Sequence, residues 1–238
     1  MRNTIRSLVF AMALPWLCPA VTVGQIDTFQ DGTTEGWVVG LGPVGGVHPA
    51  PPVNVTGGIG GPLDHFLELT ALGGNGPGSK LAVMNVAQWS GDYISTQVGG
   101  ISMDVRNAGA TDLSLRLLFE RLGPMGPTDI AFSRFAIPLA AGGGWTSIYF
   151  PVNPTYLTTI LGDTQDLLRN TDVLRIFHGV EAGFPPEGSI AASLYVDNIR
   201  AISEVPEPSA ALLTASAFGM LGFVARRRSR SRRALENR

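Results

Sequence analysis

The chain has 238 residues, is 45% hydrophobic with 30 Gly and 17 Pro, and carries a formal net charge of -2. That balance hides an asymmetry: seven of the 17 basic residues crowd into residues 226–238, whereas residues 25–203 hold Lys80 and seven Arg against 16 Asp and Glu, a net charge of -8. An acidic body excludes nucleic acid as a partner, because phosphates need a basic face, and a lone Cys18 near the N-terminus excludes disulfides, thiolate zinc sites and cysteine nucleophiles from the body.

Residues 1–24 read as a secretory signal peptide. Arg2 and Arg6 form a basic start, an apolar run from Leu8 to Leu14 follows, and small residues gather up to Gly24. Cleavage is expected after Gly24, with Ala20 as the alternative. The apolar run is too short for a retained anchor and is broken by Pro15 and Pro19. Pro15 and Leu17 ahead of Cys18 do not form a lipobox.

Residues 25–203 form the body. Short runs rich in Val, Ile, Leu, Phe and Thr at 27–30, 37–40, 65–71, 81–85, 101–106, 113–120, 132–139, 145–150, 173–178 and 190–202 alternate with Gly, Pro and Asn turns. In 101–106 and 113–120 apolar and polar residues alternate strictly, as in strands with one face on a core. Asn107 to Asp112 reads as the turn of a hairpin joining these two. Residues 157–168 are the one helix candidate, and the loops 42–64 and 73–79, rich in Gly and Pro, read as mobile or ligand-facing. No repeat of 20 to 50 residues occurs, which excludes solenoids and propellers. The fold class is all-β, an antiparallel jelly-roll-like β-sandwich.

The opening Phe29-Gln30-Asp31-Gly32-Thr33-Thr34-Glu35-Gly36-Trp37 and closing Leu194-Tyr195-Val196-Asp197-Asn198-Ile199 resemble the first and last strands of galactose-binding-like jelly rolls, the fold of many carbohydrate-binding modules. The resemblance implies a structural calcium held by Asp31 and Asp197, with Gln30 standing where such motifs often have Glu. Asp31 as a plain Asp-Gly turn residue and Asp197 as a capped edge carboxylate are the competing assignment. A sugar site would also need an exposed aromatic ring with Asn, Asp or Arg beside it. Trp89 and Tyr93, set among polar and turn residues, are the candidate pair, with core burial as the competing assignment. Trp37 and Trp145 begin strands and read as core.

His48, His65 and His178 lack metal-motif spacing, and Asp64 and His65, as strand neighbours, point to opposite faces. His178 reads as a satisfied structural histidine. Asn54-Val55-Thr56 matches a glycosylation sequon but reads as incidental in an exported bacterial-type protein. No nucleophile elbow or phosphate loop occurs.

The C-terminal residues 204–238 have three parts. Val205-Pro206-Glu207-Pro208 is held extended by its prolines, residues 210–225 are apolar and uncharged, and 226–238 are rich in arginine. A helix over 210–225 inserts as a short transmembrane segment with the arginines left in the cytoplasm. This order resembles the PEP-CTERM sorting signal. The resemblance implies export in a Gram-negative bacterium, transient anchoring in the inner membrane, cleavage by an exosortase-type membrane protease, and delivery to the envelope, cell surface or extracellular matrix. The expected function is therefore that of an exported, non-catalytic surface or exopolysaccharide-associated matrix protein. A carbohydrate-binding module is the first alternative and a small glycoside hydrolase the second. Extracellular polysaccharide is the expected partner and calcium the expected cofactor.

Overall fold

A computed structural model describes residues 20–40, 48–180 and 188–203. The chain divides into two units, Met1–Ser203 and Glu204–Arg238, and every described residue belongs to the first. Most of the expected signal peptide, and all of the sorting motif, transmembrane helix and arginine tail, therefore lie outside the described residues. Among those described, no helix is long and apolar enough to cross a membrane.

The regular secondary structure of the body is almost all strand, in two antiparallel sheets. The first contains β1 (Ile26–Asp27), β2 (Val53–Thr56), β3 (His65–Leu72), β5 (Val98–Asn107), β9 (Thr146–Pro151) and β12 (Ala191–Ser203), ordered β2-β3-β12-β5-β9 with β1 beside β12. The second contains β4 (Ala82–Asn85), β6 (Leu113–Gly123), β7 (Gly126–Ser133), β8 (Ile137–Leu139), β10 (Leu157–Leu161) and β11 (Val173–His178), ordered β10-β7-β6-β11-β4 with β8 beside β6. Their inner faces share one core. Leu67, Leu69, Ile101, Met103, Val105, Leu194 and Val196 of the first sheet join Leu113, Leu115, Leu117, Phe119, Leu174 and Ile176 of the second. Residues two apart along each strand supply these positions, which is how the period-two pattern of the sequence becomes a sandwich.

Three expectations about elements need correction. The strands at 101–106 and 113–120 do not form a hairpin: β5 pairs with β12 and β9, and β6 with β7, β8 and β11. Their connection crosses from one sheet to the other. Asn107 holds the crossing by donating its side-chain amide to the carbonyls of Thr111 and Leu139 at 2.9 and 3.0 Å. The helix expected over 157–168 is half strand. β10 takes Leu157–Leu161, rich in β-branched Thr and Ile, and only α1 (Thr164–Arg169) is helical. Asp163 caps it by accepting from Asp166 N at 2.8 Å. Residues 37–40 contribute a single bridge, Val38 to Met84, rather than a strand.

The body also begins before Gln25. Val21 is fully buried in the main core, and its N–H donates to Ser90 O at 2.9 Å. Gly24 N–H donates to Ala201 O at 2.8 Å. Val21, read from sequence as part of the leader, is thus packed in the sandwich, and Gly24 is tied to β12 through its backbone while Thr22 and Val23 stay exposed.

Candidate functional site

Trp89 and Tyr93 do not form a sugar platform. Trp89 is 0% and Tyr93 1% exposed. Tyr93 meets Phe119 edge-on at 5.3 Å and donates its hydroxyl to Trp89 O at 2.7 Å. Trp89 and Trp37 both donate their indole N–H to Asp27 Oδ2, at 2.6 and 2.7 Å, and Gln88 adds a third donor at 3.2 Å. The polar residues that suggested an exposed segment around Trp89 belong to its turn, while the rings point inward. Burial raises the Asp27 carboxyl above its ordinary range against the opposing effect of those three donors. Asp27 is therefore the hub of the core's polar network.

The outer face of the second sheet is occupied by structure. Leu118, Phe132 and Phe177 form a second buried cluster there. The Arg116 guanidinium sits 5.6 Å from the Phe132 ring centre and donates to the carbonyls of Gly179, Ser133 and Arg134. Arg175 pairs with buried Glu120 through two bonds of 3.1 and 2.9 Å.

The outer face of the first sheet is different. Register places its outward side chains in successive rows across β12, β5 and β9. One row holds Tyr195 and Arg106, continued by Trp145 just before β9. Phe66 packs against Tyr195 at 4.5 Å and edge-on to Trp145 at 5.5 Å, and the Arg106 guanidinium lies 5.9 Å from the Tyr195 ring centre. Trp145, expected in the core, is thus a half-buried residue of this outer aromatic group. The next row holds Asp197, Asp104 and Ser147, and beyond it come Arg200, Ser102 and Tyr149.

Tyr149 is the most distinctive member. The hydroxyl end of its ring lies so close to Gly100 that a Cβ on that glycine would come within 2.0 Å of Tyr149 Cε2. Its hydroxyl donates to Gly99 O at 3.3 Å, and the residue remains 37% exposed. The ring is seated on the sheet because Gly100 has no side chain. Beside it lies an open depression of about 310 Å³ lined by Ser102, Met103, Asp104, Ser147, Asn198 and Arg200. Asp104 accepts from the Ser147 hydroxyl and, at 3.0 Å, from the Asn198 amide. Tyr149 does not line the depression itself but pairs in register with Ser102, which does, so an exposed ring lies one strand position from a carboxylate, an amide, hydroxyls and a guanidinium, groups suited to sugar C–H faces and hydroxyls. Sequence reasoning missed this group, although alternation over 145–150 already puts Trp145, Ser147 and Tyr149 on one face. The contribution of Gly100, distant in sequence, carried no local signal.

Of the two residues expected to hold a calcium, Asp31 serves a turn instead. Asp31 is exposed, and its Oδ1 accepts from Thr33 N and Thr33 Oγ1, both at 2.8 Å, so it is a turn residue whose carboxyl is lowered by those bonds. The carboxylates that act on Asp197 are Asp64 and Asp104. Asp197 is 1% exposed, its Oδ1 accepts from Asn198 N at 2.6 Å, and its Oδ2 is buried with no hydrogen-bond partner. Burial, then the neighbouring acids, push its carboxyl up to about 7. Nearby, Thr28 O, Asp64 Oδ1 and His65 O converge on the Gln30 amide nitrogen at 3.0, 2.8 and 3.3 Å. Among the described residues no three His, Cys, Asp or Glu side chains form a metal cluster. Oxygen donors of mixed origin, two neighbouring carboxylates and an orphaned buried oxygen nevertheless fit a hard cation. Asp64, Asp197, Gln30 and the carbonyls of Thr28 and His65 would hold it.

His178 and His65 are both tied to other parts of the body. His178 Nδ1 accepts from Ser114 N at 2.9 Å, and burial lowers the ring's pKa. His65 Nδ1 pairs with Asn54 Oδ1 at 2.6 Å. The Asn54 amide nitrogen also donates to Phe29 O and Thr33 O at 2.7 Å, so the sequon side chain is an internal tie.

Residues 204–228 match the PEP-CTERM protein-sorting motif. The motif covers the Pro-Glu-Pro segment and the apolar stretch recognised in the sequence, so the chain carries a sorting signal behind its β-body. No curated protein matches the sequence. Among solved structures, the body is similar to the solution structure of CtCBM11 at 17% identity, covering 83% of this chain and 100% of that one with a TM-score of 0.52. It is also similar to the family 11 carbohydrate-binding module from Clostridium thermocellum in complex with a beta-1,3-1,4-mixed-linked tetrasaccharide, at 16% identity, 76% and 96% coverage and a TM-score of 0.48. The similarity to CtCBM11 places the sandwich among the folds of carbohydrate-binding modules, as the terminal strands suggested.

Proposed function

We propose that the chain is an exported, non-catalytic protein of the cell envelope or extracellular matrix whose body binds a polysaccharide on the outer face of the first sheet. The observation that carries this reading is the exposed Tyr149 ring, seated over Gly100 and paired in register with Ser102 at the border of the Asp104, Asn198 and Arg200 depression. Tyr149 stacks on a sugar ring; Asp104, Asn198, Arg200 and Ser147 exchange hydrogen bonds with its hydroxyls. The sorting motif supports an exosortase-type protease as the processing partner, with the inner membrane as a transient station. The fold of CtCBM11 supports a binding module over a hydrolase.

A hard cation of the calcium type, held by Asp64, Asp197, Gln30 and the carbonyls of Thr28 and His65, is the structural cofactor in this reading. It would neutralise the orphaned Asp197 oxygen and tie β12 to the start of β3.

The test is a glycan array and affinity electrophoresis on soluble polysaccharides with Tyr149→Ala and Gly100→Ala. The backbone at Gly100 is not left-handed, so alanine there evicts the Tyr149 ring without straining the chain. Both variants should bind more weakly than wild type while melting near its temperature. Wild-type binding that survives both substitutions overturns the site.

A further inference from the structure

We propose that the leader is removed by hydrolysis of the Ala20–Val21 peptide bond, so that the exported polypeptide begins with Val21 seated inside the sandwich. This extends the leader reading of the N-terminal residues and is independent of any sugar ligand.

The sequence ahead of Val21 offers two cleavage positions, after Gly24 and after Ala20, and local composition does not decide between them. The fold does. Val21 has no exposed surface and belongs to the main core, whereas Ala20, immediately before it, is exposed. The segment is tied down along its length: Val21 N–H donates to Ser90 O at 2.9 Å, Gln25 N–H to Thr22 O at 3.1 Å, Gly24 N–H to Ala201 O at 2.8 Å, and Ala201 N–H returns to Gln25 O at 3.0 Å. It runs against Gly91, where a Cβ would come within 2.8 Å of the Ala20 Cβ. Gly91 in turn bridges to Thr171, so residues 20–21 are laid along a surface cleared for them.

Cleavage after Gly24 would remove the Val21 side chain from the core and strip Ser90 O and Ala201 O of their donors. Unfilled apolar space and unpaired buried carbonyls both destabilise a fold. Cleavage after Ala20 leaves each contact in place. Cys18 and Ala20 supply the small residues that a leader peptidase accepts ahead of the cut. Water adds its hydroxyl to the Ala20 carbonyl carbon and a proton to the Val21 nitrogen. The new α-ammonium of Val21 keeps N–H donors for Ser90 O. Because that nitrogen is bonded inside the folded body, the cut precedes docking of the segment.

The experiment expresses the full-length chain in a Gram-negative host and determines the N-terminal residue of the exported product by mass spectrometry. A product starting at Val21 is expected; one starting at Gln25, or still carrying Met1, overturns the proposal. The second arm measures the melting temperature of the exported Val21→Ala product. Truncating a buried valine by two carbons should lower it by roughly 3–6 °C. An unchanged melting temperature means that residue 21 is absent from the mature core, and the proposal fails.

Discussion

Asp27 is the position where a single substitution should speak most directly for the core. Its Oδ2 accepts from the indoles of Trp37 and Trp89 at 2.7 and 2.6 Å, and both rings are fully buried. Asp27→Ala leaves two buried N–H donors without partners. Each orphaned donor costs about 1–3 kcal/mol, so the pair costs about 2–6 kcal/mol, or a fall in melting temperature of roughly 4–24 °C for a body of this size. Asp27→Asn separates hydrogen bonding from charge. Its amide oxygen still accepts from the indoles, so the loss should be at most about half as large. The assay is urea unfolding followed by tryptophan emission, which reports directly on the two rings. A loss below about 1 kcal/mol for Asp27→Ala would show that the two bonds are not the structural hub described above. Equal losses for the Ala and Asn variants would assign the effect to the charge instead.

Four further outcomes are expected. Tyr149→Ala should weaken binding of a recognised polysaccharide by about 0.5–1.5 kcal/mol, roughly 2- to 12-fold, read by affinity electrophoresis. Calcium should raise the melting temperature of wild type and a chelator should reverse it, whereas Asp197→Ala should abolish the response; a wild type indifferent to calcium removes the cation. The Glu35 carboxyl is pushed from 4.5 up to about 7, chiefly by burial. The folded state therefore keeps a proton that the unfolded chain releases above pH 4.5, so this contribution is complete below that pH and is lost as pH rises through 7. Urea midpoints of wild type and Glu35→Gln should diverge across that window, with wild type losing ground, and a pH-independent difference refutes the assignment. Replacing Pro206, Glu207 and Pro208 with alanine should leave the C-terminal apolar segment on the product, seen as a gain in mass.

The open outer face of the first sheet was harder to read from sequence than the core, and the reason is geometric. Alternation in 101–106 and 113–120 marks which residues turn inward, since the backbone's own period of two enforces it. Nothing local tells which face of a sheet stays open. Arg116, Leu118 and Glu120 alternate as outward residues and are nevertheless buried, because a second cluster and its hydrogen bonds cover them. Trp89 and Tyr93 sit in a polar turn and still point inward, since Asp27, 62 residues from Trp89, accepts the indole N–H. Asp31 lies beside Gln30 in the chain, yet only Gln30 reaches Asp64, 34 residues away.

The sequence by itself determined the sorting motif behind the body, the all-β class and the acidic character of the body. Each of these depends on composition, on order along the chain or on a period of two. Only the tertiary structure decided that β5 and β6 belong to different sheets, that Asp64 rather than Asp31 faces Asp197, and that Tyr149 rests on Gly100. Those facts depend on register between strands distant in sequence. An antiparallel sheet sets register through the sum of many pairings, so no short segment carries it alone.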